Sequence, residues 1–410
     1  MKTIFIILDG AAGTPDKELK NKTPYEAANT PNLDFLAKNG RTGMVQTVGK
    51  GIAPESDVAV MAVLGYDPHR YFTGRGPIEA EGAGVKLGKE FLALRTNFAT
   101  IENDEIKDRR VGRSLTTKEA KELEKEINKK VKLKCKFKFK STTEHRGVLV
   151  LYGKFSDKIT NVDPAYEKKG AFGVARANTK FIIQECKALE NKAEKTAEII
   201  NEFVKQSRDV LEQSSVNTKR IKSGFLPANV ILPRDAGNKL PKLPKRKSWA
   251  AIVGMPLEIG IAEAAGMKIL KVKYPPIRTS DAYKHIYNCL NAEINYSIKY
   301  LKSKWKKFDS FYLHFKETDI PGHDGLPEEK KKMIELIDRK FFSFARKLNA
   351  RIIVTSDHST PCSLKAHSAD PVPLLVYDGK AKDNVNGFSE KECRKGSLGL
   401  ILGKDILKRA

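Results

Sequence analysis

The pattern of apolar and polar positions predicts strands that alternate with helices at both ends of the chain. Residues 2–8, 308–315 and 350–355 are short runs rich in β-branched and aromatic side chains, which is typical of buried strands. Residues 328–348 carry apolar side chains at helical spacing, and residues 282–305 predict another helix. Because strands and helices alternate, we expect an α/β fold with a mostly parallel sheet flanked by helices.

The middle of the chain has a different pattern, which predicts a smaller α+β unit. Residues 132–140 alternate between lysines and apolar side chains, which predicts a half-buried strand with a basic, solvated face. A helix is expected after Thr116 or Thr117 as its cap, a second helix over 190–211, and a further strand over 147–152.

Two connections divide the chain into domains. The glycine-rich residues 74–88 are expected to form the outward connection, and the proline-rich, charged residues 238–247 the return linker. We therefore expect residues 79–239 to form an inserted domain, and residues 1–78 with 240–410 to form one split α/β domain.

Composition narrows the class of protein but does not select a partner. The chain of 410 residues has 75 Lys and Arg against 50 Asp and Glu, a formal net charge of +25, and its 40% of apolar residues can form a packed core. The charge fits a nucleic acid, an anionic membrane surface or a small anionic substrate, and the dense Lys and Glu usage also fits adaptation to high temperature. No base-reading motif and no membrane-spanning apolar run accompany it. The odd number of scattered cysteines, five in all, predicts reduced thiols and a cytoplasmic location.

Acidic residues and histidines follow three of the predicted strands. In open α/β sheets the functional site lies beyond the carboxyl ends of the strands, so side chains that are distant in sequence can meet there. Because Pro321 and Gly322 lie between Asp319 and His323, we expect a tight loop at that position. The residues concerned are Asp9, Asp319, His323, Asp357 and His358, with His367 shortly after them.

Three carboxylates and three imidazoles together predict a metal centre. This ligand set suits zinc, manganese or similar divalent ions, and six ligands exceed one tetrahedral site. Two ions are therefore the simplest interpretation, an arrangement that is used for phosphoryl transfer. A single aspartate after a strand is also a common turn residue, but three of only seven histidines lie within residues 323–367.

Ser56 is the candidate acceptor of a phosphoryl group. It lies at the start of a helix predicted over residues 57–64, where backbone N–H groups and the helix dipole favour a phosphate. Metal coordination is one route to activation of its hydroxyl. Serine is also a preferred N-cap residue, and the two roles are compatible.

These motifs lie in the order DG at 9–10, PESDV at 54–58, LGYDP at 64–68, TGRGP at 73–77, TDIPGHDG at 318–325 and TSDHSTP at 355–361, followed by His367 and DPVP at 370–373. The set resembles the archaeal-type 2,3-bisphosphoglycerate-independent phosphoglycerate mutases of the alkaline phosphatase superfamily. The resemblance implies an alkaline-phosphatase-like domain interrupted by a smaller substrate-binding domain. It covers nearly the whole chain.

The resemblance also implies an activity and a set of ligands. Ser56 would take the phosphoryl group from 3-phosphoglycerate and return it to the 2-hydroxyl of glycerate. Manganese would be the most usual metal, with magnesium, zinc or cobalt as alternatives, and no bisphosphoglycerate primer, nucleic acid or membrane would be needed. One ion would be held by Asp319, His323 and His367, and the other by Asp9, Ser56, Asp357 and His358.

The inserted domain offers fewer matches to the family. Asp163 lies in a segment that resembles the family's Asp-Pro motif, although Ala165 stands where a histidine commonly follows. The resemblance implies an acid–base role for Asp163, whose residue type also suits a turn before proline. Arg113 and Arg234 are expected to clamp a carboxylate or phosphate, because the guanidinium group binds both in bidentate fashion.

Three other functions remain open from the sequence. A metal-dependent phosphatase or another phosphomutase of the same superfamily would share the metal site, and the outcome would depend on how well water is excluded. The third is a basic nucleic-acid-binding protein with a vestigial site, which the net charge and the lysines of residues 132–140 would motivate.

Overall fold

The computed structural model describes residues 1–169, 172–175, 182–279 and 281–410. Within these ranges the strands are β1 (Lys2–Leu8), β2 (Arg41–Gln46), β3 (Phe91–Glu102), β4 (Glu105–Asp108), β5 (Phe137–Ser141), β6 (Arg146–Tyr152), β7 (Tyr166–Lys169), β8 (Phe172–Ala175), β9 (Val230–Gly237), β10 (Trp249–Val253), β11 (Lys268–Lys271), β12 (Ser310–Phe315), β13 (Ala350–Thr355), β14 (Val372–Tyr377) and β15 (Gly399–Leu402).

The α-helices of the same ranges vary from one turn to six turns. They are α1 (Pro24–Ala27), α2 (Pro31–Lys38), α3 (Ser56–Val63), α4 (Pro68–Tyr71), α5 (Arg75–Gly82), α6 (Thr117–Lys130), α7 (Glu194–Glu212), α8 (Ser215–Lys222), α9 (Pro256–Ala264), α10 (Ala282–Lys304), α11 (Ile320–Asp324), α12 (Pro327–Ile337), α13 (Ser343–Ala345), α14 (Glu390–Cys393) and α15 (Ile406–Arg409). Short 3-10 turns lie at Val111–Arg113, Asn191–Ala193, Glu317–Asp319 and Gly403–Asp405, and a π-helical turn at Asp338–Phe342.

An eight-stranded sheet contains the two ends of the chain. Its strand order is β11-β10-β12-β1-β13-β14-β2-β15, and every neighbouring pair is parallel except the two that involve β14. β1 lies inside the sheet, and its apolar residues from Ile4 to Leu8 are fully buried. Helices cover the sheet, so the predicted α/β fold with a mostly parallel sheet is confirmed.

A five-stranded antiparallel sheet occupies the middle of the chain. β4, β3, β6 and β5 lie side by side, and β9 also pairs with β3. α6 and α7 bury an apolar face against this sheet, which has a hydrophobic core of its own. All five strands lie between residues 91 and 237, whereas the strands of the large sheet lie outside that range.

The glycine-rich residues 74–88 are not a simple connection, because α5 forms within them. Gly82 allows this helix to pack tightly, since a Cβ there would lie 1.9 Å from the Pro256 carbonyl of α9. At Gly76 a Cβ would lie 2.2 Å from the Ala93 carbonyl of β3. These glycines therefore serve close packing, and the boundary expected at 78/79 falls inside α5.

The strand predicted over 132–140 begins only at Phe137. Its partner β6 ends at Tyr152, whose N–H donates to the Lys136 carbonyl at 2.9 Å, so Lys132 and Lys134 lie beyond the end of the partner strand. Gln206 of α7 instead bonds both the N–H and the carbonyl of Lys132. The alternation identified the exposed face correctly but overestimated the length of the strand.

The long helices agree with the sequence in position and differ in length. The helix expected over 282–305 is α10, and the one expected over 190–211 is α7 after a 3-10 turn. The helix expected over 328–348 is interrupted by the π-helical turn after α12 and ends with α13. In the part of the chain that the structure describes, none of the helices has an apolar stretch that could cross a membrane.

Candidate active site

Three neighbouring parallel strands, β12, β1 and β13, end at one edge of the large sheet and bring candidate ligands together there. Asp9 follows β1, and Asp357 and His358 follow β13, and all three side chains are buried. The Gly10 N–H donates to Asp357 Oδ1 at 3.0 Å and so joins the two loops. Two buried carboxylates in one place require compensating positive charge.

Asp319 and His323 lie on consecutive helical turns at the end of β12, so the tight loop expected here is wrong. Asp319 ends a 3-10 turn and directly precedes α11. Pro321 is tolerated because it lies in the first turn of α11. Backbone N–H groups of a first turn have no acceptor within the helix, so a proline there removes no hydrogen bond. The helical spacing places His323 Nε2 3.2 Å from Asp319 Oδ2.

The three predicted imidazoles form one cluster. His323 Nε2 lies 3.2 Å from His367 Nε2, and the rings of His358 and His367 stack with centroids 3.7 Å apart. His367 Nδ1 lies 2.8 Å from the Pro54 carbonyl, and His323 Nδ1 lies 3.1 Å from the Lys365 carbonyl. Donation from Nδ1 to a carbonyl leaves the Nε2 lone pair facing the cluster, the tautomer that a metal ligand needs.

Two groups within the described ranges have ligand atoms that all lie within 4.8 Å of one another. The first is Asp319, His358 and His367, and the second is Asp9, His314 and Asp357. His358 Nε2 also lies 3.4 Å from Asp9 Oδ1, so this imidazole stands between the groups. The structure thus brings together the six strand-end residues expected from the sequence, with His314 as an addition.

The buried carboxylates fit a divalent cation. Asp9 Oδ1 and Asp357 Oδ2 are buried, and neither has a hydrogen-bond donor among the residues that the structure describes. A buried carboxylate oxygen without a donor is strongly unfavourable unless a cation satisfies it. Oxygen and imidazole ligands together suit the borderline and hard divalent metals.

Ser56 lies at the edge of this cluster. It is the first residue of α3, whose N-cap is Glu55, so the capping interpretation of Ser56 is wrong. Its Oγ lies 3.3 Å from His358 Nε2, and Lys316 Nζ donates to it at 3.4 Å. The hydroxyl therefore faces both the candidate ligands and a fixed positive charge.

Lys316 supplies part of the positive charge that the acids require. Its ammonium contacts Asp9 Oδ2, and His314 Nε2 lies 2.9 Å from the same oxygen. Burial alone would raise the pKa of Asp9, but Lys316 and His314 hold it below its usual value. Asp9 is therefore ionised near neutral pH and available to a cation.

A cavity of about 150 Å³ lies between the two sheets. One side, which we call the ligand wall, is lined by Ser56, Lys316, Asp319, His323 and His367. The wall also includes Asp9, Asp357 and His358, which lie behind this lining: Asp9 contacts Lys316, His358 contacts Ser56, and Asp357 contacts His358. The opposite side, the arginine wall, is formed by Arg75, Arg95, Arg109, Arg110, Arg113, Arg146 and Arg234. A cavity with this lining suits a small, highly charged anion.

Most of the arginine wall is already paired with carboxylates. Glu79 binds Arg75 at 2.6 Å and Arg95 at 3.3 Å. Arg110, by contrast, has no ion pair within the described ranges, and burial together with the neighbouring Arg113 lowers its pKa to about 10. Arg110 remains charged near neutral pH, so it is the guanidinium most available to a ligand.

Asp163 belongs to the arginine wall, and its contacts favour a positioning role. Its side chain is fully buried and is held by Arg109 at 2.7 Å and by Arg234 at 2.5 Å. Burial would raise the pKa of Asp163, but Arg234 and Arg109 lower it below the usual value. A carboxylate that is ionised and engaged on both oxygens is poorly suited to donating a proton.

Arg113 bridges the two walls. Its guanidinium binds both carboxylate oxygens of Asp324, at 2.6 and 2.7 Å, and Tyr283 of α10 donates to the same carboxylate at 2.8 Å. Val111 and Arg113 both have positive φ, 53° and 51°, which is unfavourable for a β-branched residue. A strained turn thus presents Arg113 to the helix that carries His323, and Arg113 is not a free clamp.

Sequence reasoning missed several residues that the structure places at the site, among them His314, Lys316, Arg109 and Arg110. Lys316 could have been found, because it follows β12 directly, at the same strand end as Asp319. Arg109 and Arg110 share a segment with Arg113, but nothing in that segment indicates which guanidinium is unpaired. His314 lies within the buried strand β12 and has no distinguishing local signal.

Comparison with known proteins gives consistent matches along the chain. A family model described as 2,3-bisphosphoglycerate-independent phosphoglycerate mutase matches residues 37–217, and one described as the metalloenzyme superfamily matches residues 285–408. A protein of Aeropyrum pernix with the same mutase name is 38% identical over 98% of this chain and 97% of its own length. One of Thermococcus kodakarensis is 39% identical over 99% of this chain and 95% of its own.

Two solved structures also match almost the whole chain. A protein of Pyrococcus horikoshii matches with a TM-score of 0.77 at 32% identity, over 99% of this chain and 95% of that one. A structure named as the cofactor-independent phosphoglycerate mutase of Thermoplasma acidophilum matches with a TM-score of 0.58 at 31% identity, over 100% of this chain and 98% of that one.

Proposed function

Because this chain belongs to the 2,3-bisphosphoglycerate-independent phosphoglycerate mutase family, we propose that it interconverts 3-phosphoglycerate and 2-phosphoglycerate by way of a phosphoserine at Ser56. The observation that carries this proposal is the position of Ser56 Oγ. It lies 3.3 Å from His358 Nε2 in the ligand cluster and also lines the cavity that faces seven arginines. A nucleophile, candidate metal ligands and anion-binding groups therefore meet in one enclosed space.

The reaction consists of two transfers that balance each other. In the first, the bond between Ser56 Oγ and phosphorus forms, the bond from phosphorus to the 3-oxygen breaks, and the serine proton ends on that oxygen. In the second, the 2-hydroxyl of the retained glycerate attacks phosphorus, Oγ leaves, and the proton of the 2-hydroxyl ends on Ser56. The cavity must hold glycerate between the two transfers and keep water away from the phosphoserine.

The proposal includes two divalent ions, of which manganese is the most suitable. It includes no bisphosphoglycerate primer. Bound there, the ions supply positive charge that favours ionised serine and offsets the charge on the phosphoryl group. The residues that would hold them are Asp319, His323 and His367 for one ion, and Asp9, Ser56, Asp357 and His358 for the other.

Substrate recognition is proposed to come from the arginine wall. Arg110 offers a guanidinium that forms no ion pair with any residue of the described ranges, while Asp163 fixes the directions of Arg109 and Arg234. Apart from Arg75, residues 79–239 would thus provide the binding side of the cavity, and residues 1–78 with 240–410 the reacting side.

The decisive experiment is an assay of 3-phosphoglycerate with Mn²⁺ and without bisphosphoglycerate. We expect 2-phosphoglycerate as the product, and loss of at least about 10⁴-fold in kcat for Ser56→Ala, a cost typical of a removed nucleophile. The matched control is Ser207→Ala, because Ser207 is also a buried helical serine, but its hydroxyl bonds the Val204 carbonyl of α7 and no other described residue.

Two outcomes would contradict the proposal. Release of inorganic phosphate without 2-phosphoglycerate would make the protein a phosphatase. Retained turnover in Ser56→Ala, with Ser207→Ala unchanged, would remove Ser56 from the mechanism.

A further inference from the structure

Lys330 of α12 is a lysine that is entirely buried without a carboxylate partner. Its exposed fraction is 0%, and it forms no ion pair with any residue in the described ranges. Its Nζ donates to the Thr360 carbonyl at 2.6 Å and to the Ala12 carbonyl at 3.4 Å. Lysine is almost never fully buried unless it is paired, so this position carries a cost that calls for an explanation.

The atoms around this ammonium belong to two loops and one helix, α11, that carry candidate ligands. Ala12 follows Asp9 in the loop after β1, and Thr360 follows His358 in the loop after β13. Gly322 precedes His323 in α11, and a Cβ at Gly322 would lie 2.9 Å from Lys330 Nζ and 2.7 Å from the Thr360 carbonyl. A single side chain therefore bonds both loops and lies against α11, which requires glycine at the contact.

The loops are also joined to one another around the same point. The Thr360 N–H donates to the Ala12 carbonyl at 3.0 Å, so that carbonyl serves both Thr360 and Lys330. The Ser368 N–H donates to the Ser359 carbonyl at 2.9 Å, which attaches the loop of His367 to the loop of His358. Displacement of Lys330 would thus be transmitted to every loop of the ligand cluster.

We propose that Lys330 is a positioning residue that holds the loops of Asp9 and His358 and the helix of His323 at the separation required for their side chains to bind metal. Lys330 contacts none of the ligand side chains and acts through the backbone carbonyls of Ala12 and Thr360. This inference rests on the metal binding included in the proposed function. It adds a residue that lies outside the cavity lining and outside the motif set.

Loss of the charge of Lys330 and loss of its hydrogen bonds are expected to change the affinity for the metal in opposite directions. An ammonium beside a metal centre repels the incoming cation, so loss of its charge alone would strengthen metal binding. Loss of its hydrogen bonds leaves two buried carbonyls without this donor and frees the loops, which would weaken metal binding. The sign of the change in affinity therefore separates a positioning role from an electrostatic one.

The test is calorimetric titration of the metal-free full-length protein with Mn²⁺. We expect Lys330→Met to weaken binding about 10- to 100-fold, the range seen when groups that orient metal ligands are removed. Lys330→Gln, which loses the charge but keeps an N–H donor, should retain more affinity than Lys330→Met. The matched control is Lys331→Met, because the ammonium of this neighbouring lysine bonds Glu328 at 3.2 Å on the surface of the same helix.

Thermal unfolding of the metal-free variants distinguishes positioning from general stability. Lys330→Met with a lowered Tm but wild-type affinity for Mn²⁺ would overturn the inference, as would tighter binding or equal affinities for the Met and Gln variants. If Lys330→Met does not fold, weaker binding by Lys330→Gln than by Lys331→Met supports the inference, and equal binding overturns it. Failure of the wild-type protein to bind Mn²⁺ would refute the metal site itself, which is a failure of the proposed function.

Discussion

The two walls of the cavity are built in different ways. The ligand wall lies where adjacent parallel strands of the large sheet end, and its side chains reach the cavity from loops joined by backbone hydrogen bonds and from the helical turns of α3 and α11. The arginine wall lies on the antiparallel strands β3, β6 and β9, on helix α5 and on residues 109–113, which include the strained turn Val111–Arg113. One wall concentrates unsatisfied carboxylate oxygens, and the other concentrates guanidinium groups that are mostly satisfied by their own carboxylates.

This difference separates chemistry from recognition. Asp9 Oδ1 and Asp357 Oδ2 lack donors, so the ligand wall is arranged for cations that bind from outside the chain. On the arginine wall, Glu79 and Asp163 occupy most of the positive charge, which leaves Arg110 to bind an anion. The net charge of +25 therefore says little about the site, because local pairing decides which cations are available.

The largest effect should follow from a change in the ligand wall. Asp357→Asn keeps the Oδ1 acceptor for the Gly10 N–H but replaces the unpartnered oxygen, so the fold should persist while metal binding fails. Loss of a group that only orients a metal ligand costs about 10- to 100-fold in activity. Because Asp357 is itself a candidate ligand, we expect activity at fixed Mn²⁺ to fall by more than about 100-fold. Activity is measured as a function of Mn²⁺ concentration.

Asp383→Asn is the control for that change, because Asp383 accepts from Thr42 and Ser397 outside the cavity. An unchanged Mn²⁺ dependence in Asp357→Asn would show that the ligand wall does not bind the metal.

A smaller effect, and of a different kind, is expected in the arginine wall. Arg110→Gln should lower kcat/KM for phosphoglycerate about 10- to 100-fold, chiefly through KM, because it removes a charged hydrogen bond worth about 1.5–3 kcal/mol. Mn²⁺ affinity should stay unchanged. Steady-state kinetics with varied phosphoglycerate provide the measurement.

Arg208→Gln is the matched control, since Arg208 is paired with Asp104 and Glu212 away from the cavity. A rise in KM caused by Asp357→Asn but not by Arg110→Gln would overturn the division between the walls.

The smallest effect is expected at the Arg113–Asp324 contact that joins the walls. Asp324→Asn should loosen the cavity and increase the phosphate released to water per isomerisation up to about fivefold, since a partly exposed ion pair contributes at most about 1 kcal/mol. Simultaneous assay of inorganic phosphate and 2-phosphoglycerate gives the ratio.

Asp104→Asn removes another ion pair, at 2.6 Å to Arg208, which joins the β3–β4 turn to α7 away from the cavity, and should leave that ratio unchanged. If both variants or neither change the ratio, the contact between the walls does not control access of water.

The strand-end ligands could be predicted because local patterns determine them. Runs of apolar residues identified β1 and β13. Asp9 and Asp357 come soon after these strands, so both were expected at one edge of a parallel sheet. The prediction failed where helix geometry overrode a local signal. Pro321 and Gly322 indicated a loop, but both are accommodated in α11, so Asp319 and His323 meet by helical spacing.

The sequence by itself therefore determined the class of fold, the ligand-bearing strand ends and the nucleophile candidate, because each depends on residues close together in the chain. Only the tertiary structure decided that Arg113 is bound to Asp324, 211 positions away, that Asp163 holds Arg109 and Arg234, and that Lys330 joins the loops of Asp9 and His358. The physical reason is that ion pairs and buried donors are selected in the folded state among many residues of the same type. Spacing along the chain carries no information about which of them meet.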